Sequence, residues 1–130
     1  MYKRQISINC DNLKYNLEQI RKHTHNRPVM AVVKSNAYGH GILRVAQFYE
    51  KHGVNCLGVA LLEEGIILRE SGISLPIVVF GGVLLKQIPE YLKWNLEFFI
   101  STNTFGIFFS IKVLHEDSMN KIMNILKYNF

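Results

Sequence analysis

The tightest constraint on how this chain can fold is the return of a short, β-branched apolar run after each amphipathic stretch. Pro28 to Val33 (PVMAVV), Val54 to Ala60 (VNCLGVA) and Pro76 to Phe80 (PIVVF) have the length and composition of strands buried on both faces, as in a parallel sheet. Between them, Ile42 to Lys51 and Leu61 to Glu70 read as helices, the second with Leu62, Ile66 and Ile67 as apolar positions and Ser71-Gly72 as its stop. Val83 to Lys93 reads as a further helix that Pro89 distorts or divides, and a fourth strand runs from about Asn95 to Ile100. Upstream, Gln5 to Asn9 alternates as a half-buried strand would, and Asp11 is the expected N-cap of a helix carrying Leu13, Leu17 and Ile20 on one face. Strands and helices that alternate through short connections argue for consecutive right-handed βαβ units.

The first apolar run ends on Lys34, inside the string Ala31 to Gly41, AVVKSNAYGHG. At the carboxyl ends of strands in barrels and open α/β sheets, the loops converge on one crevice. A partly desolvated amine held there is a usable nucleophile toward a carbonyl, and Schiff-base chemistry needs such an amine. Gly39 and Gly41 allow a tight turn and close approach of backbone to a ligand, while Tyr38 offers a hydroxyl to the same space. Each residue also has an ordinary reading. A lysine ending a strand is commonly the first solvated residue, its stem lying over the core rim. A lone tyrosine there is commonly a packing residue, and two glycines around a histidine are commonly a turn.

The ordered string resembles the signature of alanine racemases, fold-type III enzymes that bind pyridoxal phosphate. Amino-acid decarboxylases of the same fold, and the small single-domain proteins of pyridoxal phosphate homeostasis, share the strand and lysine but lack the Tyr-Gly-His-Gly continuation. Here Asn36, Ala37, Tyr38, Gly39, His40 and Gly41 all fit the racemase form, and Ser35 stands where alanine is commoner. The likeness runs from about Ile6 to Phe105 and takes in the acidic pair Glu63-Glu64 and the Ile-x-x-Pro entry to the third strand. It implies that Lys34 is both the catalytic base for one enantiomer and the residue that bonds the cofactor as an internal aldimine. It further implies Tyr38 as a ligand of the cofactor phosphate. The implied reaction is interconversion of L- and D-alanine in the cytoplasm, supplying D-alanine for peptidoglycan. Serine and broad-specificity racemases share the motif. In the family the enzyme is a homodimer, and a tyrosine from the partner's carboxy-terminal domain is the opposing base.

A complete (β/α)8 barrel takes roughly 250 residues, and this chain has 130. The expected fold class is therefore α/β, the amino-terminal half of a (β/α)8 TIM-type barrel over residues 1–107. A divergent tail, residues 108–130, is expected to follow, in which Asp117 to Phe130 reads as a helix with Ile122, Met123, Ile125 and Leu126 apolar. Such a half would leave strand edges unpaired and an apolar flank uncovered. No residue here matches the opposing tyrosine, the arginine facing the pyridine nitrogen or most of the phosphate cup. The chain is expected to be an amino-terminal fragment, inactive alone. A non-catalytic cofactor-binding remnant or carrier, and a half-barrel that associates with a separately encoded second half, are the alternatives.

Composition excludes several other classes. Hydrophobic residues at 48% and charged residues at 19% suit an ordinary soluble core, and the net charge of +5 is scattered without a Lys/Arg cluster, so no nucleic-acid site is expected. Cys10 and Cys56 lie outside any Cys-x-x-Cys pattern and the histidines are dispersed, so no metal site is expected; two thiols fit a reducing cytosol. Arg44 stands where a dinucleotide fingerprint needs its third glycine. Lys3 and Arg4 precede a polar alternating stretch, unlike a signal peptide. Leu96 to Ile111 is interrupted by Ser101 to Asn103 and falls short of the ~20 residues of a membrane span.

Overall fold

A computed structural model describes residues 7–101 and 108–111 of the chain. Helix α1 (Cys10–His23) opens it, capped by Asn9 rather than by Asp11. Asn9 is extended, and its Oδ1 accepts the N–H groups of Asp11 at 2.8 Å and Asn12 at 3.3 Å, leaving Asp11 in the first turn where its charge faces the helix dipole. Leu17 is buried, but Ile20, expected on the same face, is 48% exposed because α1 meets the core along a narrow strip. Ser7 to Asn9 form no strand, and Gln5 and Ile6 lie outside the described residues.

Five strands follow in the spatial order of their sequence: β1 (Met30–Val32), β2 (Cys56–Val59), β3 (Ile77–Val79), β4 (Glu97–Ser101) and β5 (Phe108–Ile111). The first four are parallel, joined by α2 (Ile42–Lys51), α3 (Leu62–Glu70) and α4 (Ile88–Lys93), so the α/β alternation is as expected. Pro89 divides its segment at the foreseen place: a 3₁₀ turn, Leu85–Gln87, precedes α4, whose first turn tolerates a residue without an N–H. Strand β5, at the start of the tail that follows residue 107, pairs antiparallel with β4, whereas the four strands before it are parallel as expected. Residues 102–107 are too few for a crossover helix, and Phe108, Phe109 and Ile111 are good strand formers. The helix expected over Asp117 to Phe130 lies outside the described residues.

The sheet's register sorts its two faces. Ala31, Leu57 and Ile77 align across the first three strands, and Val59, Val79 and Phe98 across the next layer, all buried under the helices. Helix α3 meets them with Leu62, Gly65 and Leu68, and Ile66 packs half-buried against the same core, while Ile67 is 44% exposed. Gly65 turns inward because Leu96 leaves no room: an added Cβ would stand 3.0 Å from a Leu96 methyl. The opposite face carries Met30, Val32 and Phe80, each more than a third exposed, with the Phe80 ring lying over Gly58. In a closed barrel this face would look inward.

At the amino-terminal ends of the strands, polar side chains tie the connections together. Arg69 spans four backbone carbonyls, and Glu50 on α2 accepts the Ser74 N–H at 2.7 Å, the Ser74 hydroxyl at 2.8 Å and the Leu75 N–H at 3.2 Å. Desolvation pushes the Glu50 carboxyl up, but those donors and the Arg69 charge outweigh it and hold its pKa below the usual carboxylate value. A group with a depressed folded pKa adds stability that is complete above its unfolded pKa and is lost as pH falls through the folded value. Stability should therefore decline as the pH drops through and below the ordinary carboxylate range, and Glu50→Gln should flatten that acid limb. Urea midpoints of both proteins across that range would check it; identical acid limbs would contradict the assignment.

Candidate functional site

Strand pairing runs up to the candidate lysine. Val33 donates its N–H to Gly58 O at 2.8 Å, so β1 delivers Lys34 at its carboxyl end. There the backbone reverses hand. Ser35, Asn36, Ala37 and Tyr38 have φ of 53°, 56°, 52° and 55°, one left-handed turn made of non-glycine residues and continued by Gly39 at 88°. Left-handed backbone costs an L-residue roughly 1–2 kcal/mol, so such a turn persists only where its surroundings over-determine it.

The surroundings can be read bond by bond. Ala37 donates to Val33 O at 2.8 Å, His40 to Ala37 O at 3.1 Å and Gly41 to Asn36 O at 3.0 Å. The Asn36 side chain accepts the N–H of Ile42 at 2.9 Å, which fastens the turn to the start of α2. His40 Nδ1 lies 2.8 Å from Ala37 O, an arrangement in which the ring nitrogen donates. Ala37 is buried at 4%, where a larger side chain would meet the core. Glu64 closes the ring: one oxygen accepts the Ser35 N–H at 2.6 Å, and the other accepts Ala60 N–H at 2.8 Å and Leu61 N–H at 3.2 Å. The string SNAYGHG is thus largely a set of instructions for one strained turn.

Lys34 and Tyr38 are what that turn presents. Lys34 is partly exposed, and its side chain makes no hydrogen bond or ion pair among the described residues. Tyr38 is 60% exposed, so the packing-residue reading does not apply to it. The loops after β2 and β3 join the same rim. Gly81 donates to Ala60 O at 2.9 Å, and a Cβ on Gly81 would fall 2.6 Å from that oxygen, so this contact requires glycine. A primary amine with no partner among the described residues and a phenol on the adjoining hydrogen-bonded turn can bond an aldehyde and donate to an anion.

Other candidates stand apart from this rim. Cys56 and Cys10 are both free, and burial together with the Glu97 charge pushes the Cys56 thiol up, away from nucleophilic use. Among the described residues no group of His, Cys, Asp or Glu could hold a metal ion, and no helix is long and apolar enough to cross a membrane. A cavity of about 400 Å³ lies on the helix side between α1 and α2, lined by Cys10, Leu13, His40, Arg44 and Phe48 among others; neither Lys34 nor Tyr38 lines it. Glu64 is the site residue that sequence reasoning left without a role. An acid at the third position of a helix, Leu61-x-x-Glu64, was the available signal, although Leu61 has no oxygen with which to complete a capping box.

The family described as alanine racemase, N-terminal domain, matches residues 8–105. Alanine racemase 2 of Bacillus subtilis is 46% identical over 92 residues, 70% of this chain and 23% of that protein. An alanine racemase of Nostoc sp. is 38% identical over 117 residues, 87% of this chain and 30% of that protein. The crystal structure of alanine racemase from Oenococcus oeni superposes with a TM-score of 0.68 at 33% identity, covering 73% of this chain and 28% of that one. The chain spans about a quarter of the length of the curated relatives it matches.

Proposed function

Since the chain belongs to the alanine racemase family through its N-terminal domain, we propose that it carries the cofactor lysine, Lys34, for pyridoxal phosphate-dependent interconversion of L- and D-alanine in the cytoplasm. The observation that carries this reading is a lysine at the carboxyl end of β1 whose side chain has no partner among the described residues, beside an exposed tyrosine on the left-handed turn that follows it. The residues present fit the cofactor. Lys34 Nζ suits its aldehyde and the Tyr38 hydroxyl can donate to its phosphate. When bound, pyridoxal phosphate supplies an electron sink that acidifies the substrate α-carbon.

The chain's own residues then have separable tasks. Lys34 Nζ takes or returns a proton on one face of that carbon, Tyr38 orients the cofactor's phosphate end, and the left-handed turn keeps the two in fixed relation. Racemisation needs a second proton donor on the other face. In this reading it comes from the carboxy-terminal part of a second subunit of a homodimer, and a chain lacking those parts is inactive alone. The same reading assigns residues 1–107 to the barrel and 108–130 to a divergent tail. The family match ending at residue 105 supports that boundary. The Nostoc alignment counts against full divergence, because 87% of this chain is longer than residues 1–107.

Borohydride reduction of the chain mixed with pyridoxal phosphate, followed by peptide mass mapping, tests the reading. The pyridoxyl mass should concentrate on Lys34 in preference to the other lysines. Labelling spread evenly over exposed lysines would refute it.

A further inference from the structure

We propose that Glu64 is a positioning residue for Lys34, a role that rests on Lys34 being the cofactor lysine. The peptide joining Lys34 to Ser35 is planar, so the direction of the Ser35 N–H fixes the last backbone torsion of Lys34 and with it the departure of its side chain. Within the left-handed turn, Ala37, Gly39, His40 and Gly41 are among the donors of internal bonds, and the Ser35 N–H is left over at the start. Among the described residues it donates to Glu64 Oε1, at 2.6 Å, from a helix that begins after a different strand. A charged acceptor makes this a strong bond.

The other half of the carboxylate gives the bond its rigidity. Oε2 accepts Ala60 N–H and Leu61 N–H, so Glu64 is itself held by the two residues that link β2 to α3, the second of them the N-cap of its own helix. Three N–H groups converge on two oxygens, and no neutral side chain of this size can satisfy all three. In glutamine, whichever way the amide is turned, its NH2 faces an N–H donor. Glu63, its neighbour in the same first turn, makes none of these bonds and provides a control of equal charge.

The experiment compares wild type, Glu64→Gln and Glu63→Gln by two readouts: amide hydrogen exchange at Ser35, and the excess of pyridoxyl label on Lys34 over the other lysines of the same molecule. In Glu64→Gln the Ser35 amide should exchange about tenfold faster and the Lys34 excess should fall by about tenfold, the scale of one hydrogen bond to a charged group. The Leu57 and Val79 amides should keep their protection, and Glu63→Gln should match wild type. Should Glu64→Gln not fold, Glu64→Asp, which retains the charge and shortens the reach, carries the same expectation. A Ser35 amide that is unprotected in wild type overturns the role without any variant. Faster Ser35 exchange with an undiminished Lys34 excess overturns it as well, leaving Glu64 a helix cap only. Even labelling in wild type refutes the proposed function, and the positioning role with it; selective wild-type labelling that Glu64→Gln preserves refutes the positioning role alone.

Discussion

Replacing Lys34 by arginine will remove covalent capture of pyridoxal phosphate at the end of β1 while leaving the fold intact. Arginine keeps the positive charge and most of the reach, so attraction for the cofactor's phosphate survives. Its guanidinium stays protonated in proteins and cannot act as a nucleophile toward an aldehyde. The substitution therefore separates charge from bond formation, which Lys34→Ala would remove together. The folded state should scarcely notice, because Lys34 is partly exposed and its side chain makes no hydrogen bond or ion pair among the described residues; surface changes of that kind usually stay within about 0.5 kcal/mol. Reductive labelling and a thermal melt of the same sample would read both halves. The expected result is an unchanged melt with the remaining label scattered over exposed lysines. Preferential labelling of some other lysine in Lys34→Arg would mean that the site lies elsewhere.

How much of this was legible beforehand differs from element to element. Helix α2 could be read to the residue because a glycine precedes its apolar pattern and His52-Gly53 follows it. The strands came out shorter than their apolar runs, since ladder pairing ends before hydrophobicity does. On α3 the expected Leu62 and Ile66 do meet the core and Ile67 does not, because the buried stripe runs through Gly65, which no hydrophobicity pattern selects and where Leu96 presses closest. At the site, the chemistry-bearing Lys34 and Tyr38 stood out in the ordered string, but the hand of the turn did not. Of Ser35, Asn36, Ala37 and Tyr38, only asparagine has a local reason to visit left-handed backbone. The turn is imposed by acceptors distant in sequence, Glu64 above all, and a bond between Ser35 and Glu64 has no periodicity by which to be found. Arg69 was invisible for the same reason.

Arg69→Ala should cause the largest loss of stability of any single change considered for this chain. Its guanidinium donates to Trp94 O at 3.0 Å, Ile73 O at 2.8 Å, Leu75 O at 2.7 Å and Asn95 O at 2.9 Å, drawing the segments that enter β3 and β4 onto the end of α3. Partial burial lowers its pKa, against the charges of Glu50 and Glu97 that raise it. Hydrogen bonds to charged groups contribute roughly 1.5–3 kcal/mol each, but truncation admits water to some of the four carbonyls, so a net loss of about 2–4 kcal/mol is expected. Against the ~5–15 kcal/mol that holds a typical domain together, that is enough to shift a urea midpoint plainly. Arg69→Lys should recover only part of it, because one ammonium cannot reproduce a fork that reaches four oxygens. The clamp sits at the amino-terminal ends of the strands, opposite the rim that carries Lys34, and in barrels those ends serve stability while the carboxyl ends serve chemistry. The folded fraction of Arg69→Ala should therefore still place its pyridoxyl label on Lys34. A midpoint within about 0.5 kcal/mol of wild type would show the clamp to be replaceable by water, and lost Lys34 selectivity in the folded protein would show that the two ends of the sheet are coupled.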